Sequence, residues 1–188
     1  VEEIVFQIEM ALKNPGLGSP CIHMRFVGNP GTGKTTVARV IGKILKERGI
    51  LRKGNFFEHA GRDFCGRFVG ETAPKTAAMC RDAYGSVLFI DEAYSLIGSG
   101  NDFGKEAIAT LLKRMEDDRD RLVVILAGYS NEMQDFINTN PDTVFVTVQT
   151  LVFLLTLRQS LRQRMLTSFL RVHLQMLAVP VTPETQVL

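Results

Sequence analysis

The apolar residues of the chain fall into two patterns that alternate along its length. Short apolar runs, which are typical of buried strands, occupy residues 21–27, 55–60, 87–90 and 122–127. Apolar positions spaced three and four residues apart predict amphipathic helices over residues 1–13, 34–49 and 108–115. Because strands and helices alternate, we expect an α/β fold in which a parallel sheet has helices on both faces.

Composition narrows the class of protein. Hydrophobic residues make up 45% and charged residues 22% of the 188 positions, which excludes a disordered chain. The formal net charge of +2 is too small to indicate nucleic acid or an anionic membrane as a partner. The three cysteines form no C-x-x-C pair, and His23, His59 and His173 lack metal-ligand spacing, so we expect structural histidines. The first residues show no secretory leader pattern, and we expect a cytoplasmic location.

A phosphate-binding motif is the strongest chemical signal in the sequence. Residues 28–35, GNPGTGKT, match the pattern G-x-x-x-x-G-K-[ST] at every fixed position, after a predicted strand and at the start of a predicted helix. In this arrangement backbone N–H groups and the helix N-terminus bind phosphate oxygens. Lys34 is expected to contact the β- and γ-phosphates, and Thr35 to bind Mg²⁺. The predicted nucleotide-binding residues are Gly28, Asn29, Pro30, Gly31, Thr32, Gly33, Lys34, Thr35 and Thr36.

Two adjacent carboxylates follow the apolar run 87–90. Asp91 is expected to hold Mg²⁺ through water, and Glu92 to polarise the attacking water as a general base. Alone, a strand that ends in Asp-Glu suits a helix cap equally well, but the upstream phosphate-binding motif favours catalysis. Because a small-molecule kinase does not need a glutamate to activate water, we predict an ATPase with Glu92 and Lys34 as catalytic residues. A GTPase is disfavoured, since no guanine-reading [NT]-K-x-D motif is present.

Three segments together carry a resemblance to a known family. They are GNPGTGKT at 28–35, VLFIDEAYSL at 87–96 and LVVILAGYSNEM at 122–133. The chain resembles AAA+ ATPases, and more narrowly the subfamily of the red-type rubisco activases and the stage V sporulation protein K, over about residues 1–142. The resemblance implies a P-loop NTPase three-layer sandwich with ATP and Mg²⁺ as cofactors. It also implies a homo-oligomer, a hexameric ring that threads or tugs a protein substrate through its pore.

A further segment is similar to the pore loop of that family. In residues 62–76, RDFCGRFVGETAPKT, the aromatic-aliphatic-glycine triplet that lines the channel corresponds to Phe68, Val69 and Gly70. An exposed aromatic on a glycine-flanked loop can grip any extended chain through apolar contact, without reading its sequence. The alternative is that Phe68 is an ordinary aromatic of the core.

The family pattern is altered at two places. The usual Thr-Asn pair that senses the γ-phosphate falls on the Gly-Tyr pair 128–129, so Ser130 and Asn131 are the sensor candidates. The arginine-bearing segment expected after residue 141 is replaced by DTVFVT, and no arginine lies between residues 121 and 158. Since an arginine finger contributes on the order of 10³–10⁵ in rate, its loss would leave slow hydrolysis.

The composition changes after residue 142. We therefore divide the chain into an AAA+ nucleotide-binding core, 1–142, and a divergent strand/helix tail, 143–188, in place of the arginine-finger region and lid. The apolar run 144–157 is too short to cross a bilayer and predicts a buried strand that leads into a helix. Three interpretations of the tail remain open: a divergent lid helix, a basic amphipathic helix for a membrane surface or partner protein, and an altered C-terminus such as a shifted reading frame.

Two hypotheses of function follow from the sequence. The first is a chaperone-like ATPase that remodels or threads a protein substrate through a ring pore. The alternative is a nucleotide-binding protein with little or no turnover, because the arginine finger and lid are missing. A P-loop ATPase that acts on nucleic acid is disfavoured, since no clustered basic face precedes residue 143. We expect a protein substrate and further copies of the chain as partners, no nucleic acid and no membrane.

Overall fold

The computed structural model describes residues 22–97, 103–139 and 149–152. All of them belong to Val1–Leu154, the first of the two units into which the chain divides. The helix predicted over 1–13 and the helical part of the predicted tail lie outside the described residues.

The described residues form alternating strands and helices. In chain order they are β1 (Met24–Val27), α1 (Lys34–Glu47), β2 (Phe56–Ala60), a 3₁₀ turn (Gly61–Phe64), α2 (Thr72–Asp82), β3 (Ser86–Asp91), a second 3₁₀ turn (Ala93–Leu96), α3 (Phe103–Asp117), β4 (Leu122–Gly128), α4 (Ser130–Thr139) and β5 (Gln149–Val152). The strands predicted at 21–27, 55–60, 87–90 and 122–127 and the helices predicted at 34–49 and 108–115 are confirmed within a few residues.

Helix α2 was not predicted by the apolar pattern. Its buried residues are Thr72, Thr76, Ala77 and Cys80. These are small or polar side chains, so the buried face of the helix does not appear as an apolar stripe in the sequence.

The strands pair into one parallel sheet with the order β2-β3-β4-β1-β5. Val27 of β1 lies beside Gly128 of β4, and Ile90 of β3 lies beside Leu126. The carboxyl ends of β1, β3 and β4 therefore meet along one edge of the sheet. Ligands of open parallel sheets bind outside such an edge.

Helices cover both faces of the sheet. On one face, α1 packs through Ala38, Ile41 and Leu45 against a cluster that includes Val87, Phe89, Val123 and Ile125. On the other face, α2, α3 and α4 contribute to a cluster that includes Cys80, Leu88, Ile90, Leu111, Val124, Leu126, Met133 and Phe136. Burial on both faces explains why the central strands are continuously apolar. The predicted three-layer α/β sandwich is confirmed.

Strand β5 lies within the segment that the sequence assigned to the tail. It pairs with β1 in register from Met24–Gln149 to Val27–Val152. A strand in the apolar run 144–157 was predicted, and it is present at 149–152. The division of the chain at residue 142 remains a prediction. In the described part of the chain, none of the helices combines the length and apolarity needed to cross a membrane.

His23 holds three elements together at the start of β1. Its ring is completely buried. Nε2 lies 2.7 Å from the carbonyl oxygen of Met115 in α3, and Nδ1 accepts a hydrogen bond of 3.0 Å from the backbone N–H of Val124 in β4. Because Nδ1 is an acceptor here, the proton of the neutral ring is on Nε2 and is donated to Met115. The role of His23 is structural, as predicted.

Candidate nucleotide-binding site

The loop between β1 and α1 curls at the carboxyl edge of the sheet because two of its glycines have a left-handed backbone conformation. Gly31 has φ 70° and Gly33 has φ 87°, values that favour glycine. A Cβ atom on Gly31 would have no heavy atom within 4 Å, so the loop has open space beside it. The first N–H groups of this 14-residue helix have no intrahelical partner, and Gly33 before them provides no side-chain cap. Such donors at the positive end of a helix suit phosphate oxygens.

Lys34, the first residue of α1, bonds back to this loop. Its Nζ donates hydrogen bonds to the carbonyl oxygens of Gly28 (2.8 Å) and Asn29 (3.0 Å). The ring centroid of Tyr129 is 5.5 Å from this nitrogen. Partial burial lowers the pKa of Lys34, and the negative charge of Asp91 acts in the opposite direction. Lys34 and Asp91, which are far apart in sequence, follow β1 and end β3, whose carboxyl ends lie at the same edge of the sheet.

Two oxygen-bearing side chains at this edge fit a magnesium ion. Thr35 is the second residue of α1, and Asp91 is the last residue of β3. Hydroxyl and carboxylate oxygens are the ligands that Mg²⁺ prefers, and it usually takes one or two from protein and the rest from phosphates and water. Oδ1 of Asp91 accepts a hydrogen bond of 3.0 Å from the N–H of Glu92. The chemistry of this pair therefore fits the predicted cofactor.

Glu92 follows Asp91 in a strained backbone conformation. With φ 48° and ψ 47°, it is the one non-glycine residue with positive φ in the described ranges. A left-handed residue with a side chain costs about 1–2 kcal/mol, and strain of this kind is often found at functional sites. Its side chain makes no capping hydrogen bond to the 3₁₀ turn that follows. The capping role that the sequence left open for the Asp-Glu pair is therefore not observed for Glu92.

The first 3₁₀ turn, Gly61–Phe64, packs closely against the strained backbone of Glu92. A Cβ atom on Gly61 would lie 2.8 Å from the carbonyl oxygen of Glu92 and 2.7 Å from Oγ of Ser95. Ser95 donates its N–H to the same carbonyl oxygen at 2.8 Å and accepts a hydrogen bond of 3.0 Å from the N–H of Arg62. The absence of a side chain at residue 61 thus allows the two 3₁₀ turns to pack closely beside the end of β3.

The end of β4 has no room for a sensor side chain. Gly28 donates its N–H to the carbonyl oxygen of Gly128 at 3.2 Å, which places Gly128 beside the phosphate-binding loop. A Cβ atom on Gly128 would lie 2.7 Å from Cγ of Met133 and 2.9 Å from Cδ1 of Tyr94. The position where related ATPases are expected to have a polar side chain is therefore filled by these two neighbours.

The sensor candidates lie in the first turn of α4. Ser130 and Asn131 line a cavity of about 360 Å³ whose other lining residues are Asn29, Pro30, Tyr129 and Glu132. This volume is within the range of small-molecule pockets. The structure thus brings both candidates beside the phosphate-binding loop.

Tyr129 and Tyr94 also lie at the site, although no motif in the sequence indicated them. Their rings lie 5.8 Å apart between centroids, and Tyr129 also faces the ammonium group of Lys34. Their positions in the sequence could have indicated them. Each tyrosine follows within three residues of the end of a buried strand, at the carboxyl edge of the sheet.

The loop that resembles a pore loop exposes its apolar residues. Phe68 is 69% exposed and Val69 is 89% exposed. The alternative that Phe68 belongs to the core is therefore wrong. Gly70 follows with φ 85°, and the loop leads directly into α2.

Replacing Gly128 by alanine is expected to lower the free energy of unfolding by about 1–3 kcal/mol, because the new methyl group overlaps Met133 and Tyr94. Urea denaturation with an unchanged m-value would measure the loss. The penalty should shrink in a Met133→Ala background, where the nearest overlapping atoms are removed. An alanine variant as stable as the parent protein would show that the end of β4 can accept a side chain.

The chain is similar in sequence to proteins of a known family. A profile of the family "ATPase family associated with various cellular activities (AAA)" matches residues 24–149. Stage V sporulation protein K of Bacillus subtilis is 52% identical over 126 residues, which cover 66% of this chain and 39% of that protein. Protein CbbX of Cereibacter sphaeroides is 49% identical over 138 residues, 71% of this chain and 45% of that protein. ESX-1 secretion system protein EccA1 of Mycobacterium tuberculosis is 48% identical over 134 residues, which cover 69% of this chain and 23% of that protein.

The family profile covers residues 24–149, and this chain spans less than half the length of these relatives. Among solved structures, the AAA domain of FIGL-1 in complex with ADP aligns with a TM-score of 0.56 and 21% identity, over 81% of this chain and 51% of that chain. This likeness supports the fold. The resemblance predicted from the three motifs is confirmed. The chain belongs to the ATPase family associated with various cellular activities (AAA).

Proposed function

We propose that the chain binds ATP with Mg²⁺ at the loop 28–35, hydrolyses it with Glu92 as general base, and uses the energy to remodel a protein substrate. The observation that carries the proposal is the meeting of Lys34, Asp91 and Glu92 at one edge of the sheet. Membership of the family supports ATPase activity in general. The residue roles and the substrate are our inference.

Each group at the edge has a distinct task in this proposal. The N–H groups at the start of α1 bind phosphate oxygens, and Lys34 exchanges the carbonyl oxygens of Gly28 and Asn29 for the β- and γ-phosphates. Thr35 and Asp91 hold Mg²⁺, which neutralises charge on the phosphate oxygens when it is bound. Glu92 accepts a proton from the attacking water. Ser130 and Asn131 remain the candidates for sensing the γ-phosphate.

The exposed pair Phe68 and Val69 supports a protein as the substrate. A large aromatic and a β-branched residue that are both mostly exposed form a contact surface for apolar side chains. We further propose that copies of the chain assemble into a hexameric ring, in which these pairs line the pore and grip an extended polypeptide.

One sequence feature favours a second candidate function. No arginine lies between residues 121 and 158, where the family resemblance places an arginine finger that acts on the ATP of a neighbouring subunit. Since such a finger contributes on the order of 10³–10⁵ in rate, the chain would then bind ATP with little turnover.

Hydrolysis of Mg-ATP measured against protein concentration tests the proposal. We expect turnover that rises faster than linearly with concentration, because assembly places subunits against each other's sites. Binding of ATP without turnover would favour the second candidate, and absence of both would refute the nucleotide site.

Replacing Lys34 by alanine is expected to weaken ATP binding about 10- to 100-fold, because a charge-assisted contact to phosphate contributes about 1.5–3 kcal/mol. The matched control is Lys43→Ala, which removes an exposed lysine from the same helix and should change nothing. Titration of a fluorescent ATP analogue measures both. Equal affinity in the two variants would remove Lys34 from the phosphate site.

A further inference from the structure

The exposed loop, residues 65–71, is held in shape by the side chain of its own last residue. Oε2 of Glu71 accepts hydrogen bonds from the backbone N–H groups of Arg67 (3.1 Å) and Phe68 (3.2 Å). Both donors are main-chain groups, so the carboxylate fixes the backbone that carries Phe68. A hydrogen bond to an ionised carboxylate is stronger than one between neutral groups.

Helix α2 closes the base of the loop. Oγ1 of Thr72, a completely buried residue, accepts a hydrogen bond of 3.0 Å from the N–H of Gly66. Nζ of Lys75 donates a hydrogen bond of 2.9 Å to the carbonyl oxygen of Cys65. A Cβ atom on Gly66 would lie 2.6 Å from Cβ of Glu71 and 2.9 Å from the backbone nitrogen of Thr72, so the two ends of the loop touch.

The side chain of Glu71 bonds to the loop and does not cap the helix that follows it. It occupies the N-cap position of α2, yet its side chain makes no capping hydrogen bond to the helix. An N-cap side chain ordinarily accepts from the N–H groups of the first helical turn. Here the carboxylate bonds backwards to the loop, which shows that the hydrogen-bonding capacity of Glu71 serves the loop rather than the helix.

We propose that Glu71 is a positioning residue that preforms the loop, so that Phe68 and Val69 are presented to a substrate polypeptide. The inference rests on the proposed function, in which this apolar pair grips the substrate. A preformed loop loses less conformational entropy on binding than a flexible one, and the saving appears as affinity.

The same hydrogen bonds determine how the substrate is recognised. Since Glu71 already accepts from the N–H groups of Arg67 and Phe68, the substrate main chain cannot use them. The apolar side chains of Phe68 and Val69 are exposed and remain available for contact. The loop therefore fits an unfolded polypeptide with apolar side chains and does not select a sequence.

Binding of fluorescein-labelled casein, an unfolded polypeptide, to the full chain in the presence of Mg²⁺ and a slowly hydrolysed ATP analogue tests the proposal. We expect Glu71→Ala to raise the dissociation constant about 3- to 10-fold, as the loss of one or two hydrogen bonds predicts. Glu71→Gln should restore affinity to within about twofold, because its amide oxygen can accept the same N–H groups.

A second measurement separates positioning from a general effect on folding. Amide hydrogen exchange at Arg67 and Phe68 should accelerate in Glu71→Ala and return towards the parent rate in Glu71→Gln. Equal exchange rates in all three proteins would overturn the proposal.

Phe68→Ala distinguishes failure of the inference from failure of the proposed function. If Phe68→Ala loses casein binding while Glu71→Ala binds as the parent protein does, the positioning role is wrong and the substrate loop stands. If Phe68→Ala also binds as the parent does, the substrate loop is wrong, and the role of Glu71 fails with it.

Discussion

Replacement of Glu92 by glutamine is expected to lower kcat for ATP hydrolysis by about 10²–10⁴-fold while ATP binding is retained. Glutamine has the size of glutamate but cannot accept a proton from the attacking water at neutral pH. The phosphate-binding groups lie on the loop 28–35 and at the start of α1, so they are unaffected. Glutamine also keeps a side chain of similar shape at the left-handed position, φ 48°, so the substitution adds no large backbone strain.

Steady-state hydrolysis and titration of a fluorescent ATP analogue together measure this result. The matched control is Glu116→Gln, which removes an exposed carboxylate that pairs with Arg119 at the surface. A Glu92→Gln variant whose kcat is within about threefold of the parent value would exclude Glu92 as the general base. Loss of ATP binding in the same variant would instead mean that the residue shapes the phosphate site.

The parts of the site that depend on short spacing were predictable from sequence. The loop that carries Lys34 is defined by eight consecutive residues, and the pair Asp91–Glu92 ends a run of apolar residues. Alternating strands and helices were sufficient for the sheet and its layers, because a strand buried on both faces must be apolar throughout.

Other features depend on packing between distant segments and could not be predicted. The strained backbone of Glu92 is accommodated by close contact with Gly61 of the preceding 3₁₀ turn. Tyr129 faces Lys34 only because β4 lies between β1 and β3 in the sheet. The closed space at Gly128 likewise follows from the positions of neighbouring side chains, which a single sequence does not specify.

Hydrogen bonds of the same non-local kind make His23 important for stability. Replacing His23 by phenylalanine is expected to lower the free energy of unfolding by about 2–6 kcal/mol, because two buried backbone groups each lose a partner at about 1–3 kcal/mol. These groups are the carbonyl of Met115 and the N–H of Val124. Chemical denaturation at pH 7.5 measures the loss. The control is His59→Phe on edge strand β2, where the ring is half-buried and packs edge-on against Phe64.

The same residue should make the stability of the parent protein depend on pH. Burial lowers the pKa of His23 below its ordinary value of 6.5, while the Met115 carbonyl and the charge of Glu116 act in the opposite direction. The unfolded chain therefore binds the proton more readily, and the free energy of unfolding should fall as the pH drops below about 6.5 and be insensitive to this group above it. Protonation also removes the acceptor that Nδ1 offers to Val124.

Denaturation at pH 5.5 and 7.5 should show this loss of stability in the parent protein and in His59→Phe, but a smaller loss in His23→Phe. An equal loss in all three proteins would contradict this prediction. It would mean that other groups carry the pH dependence and that the pKa of His23 is the same in the folded and the unfolded chain.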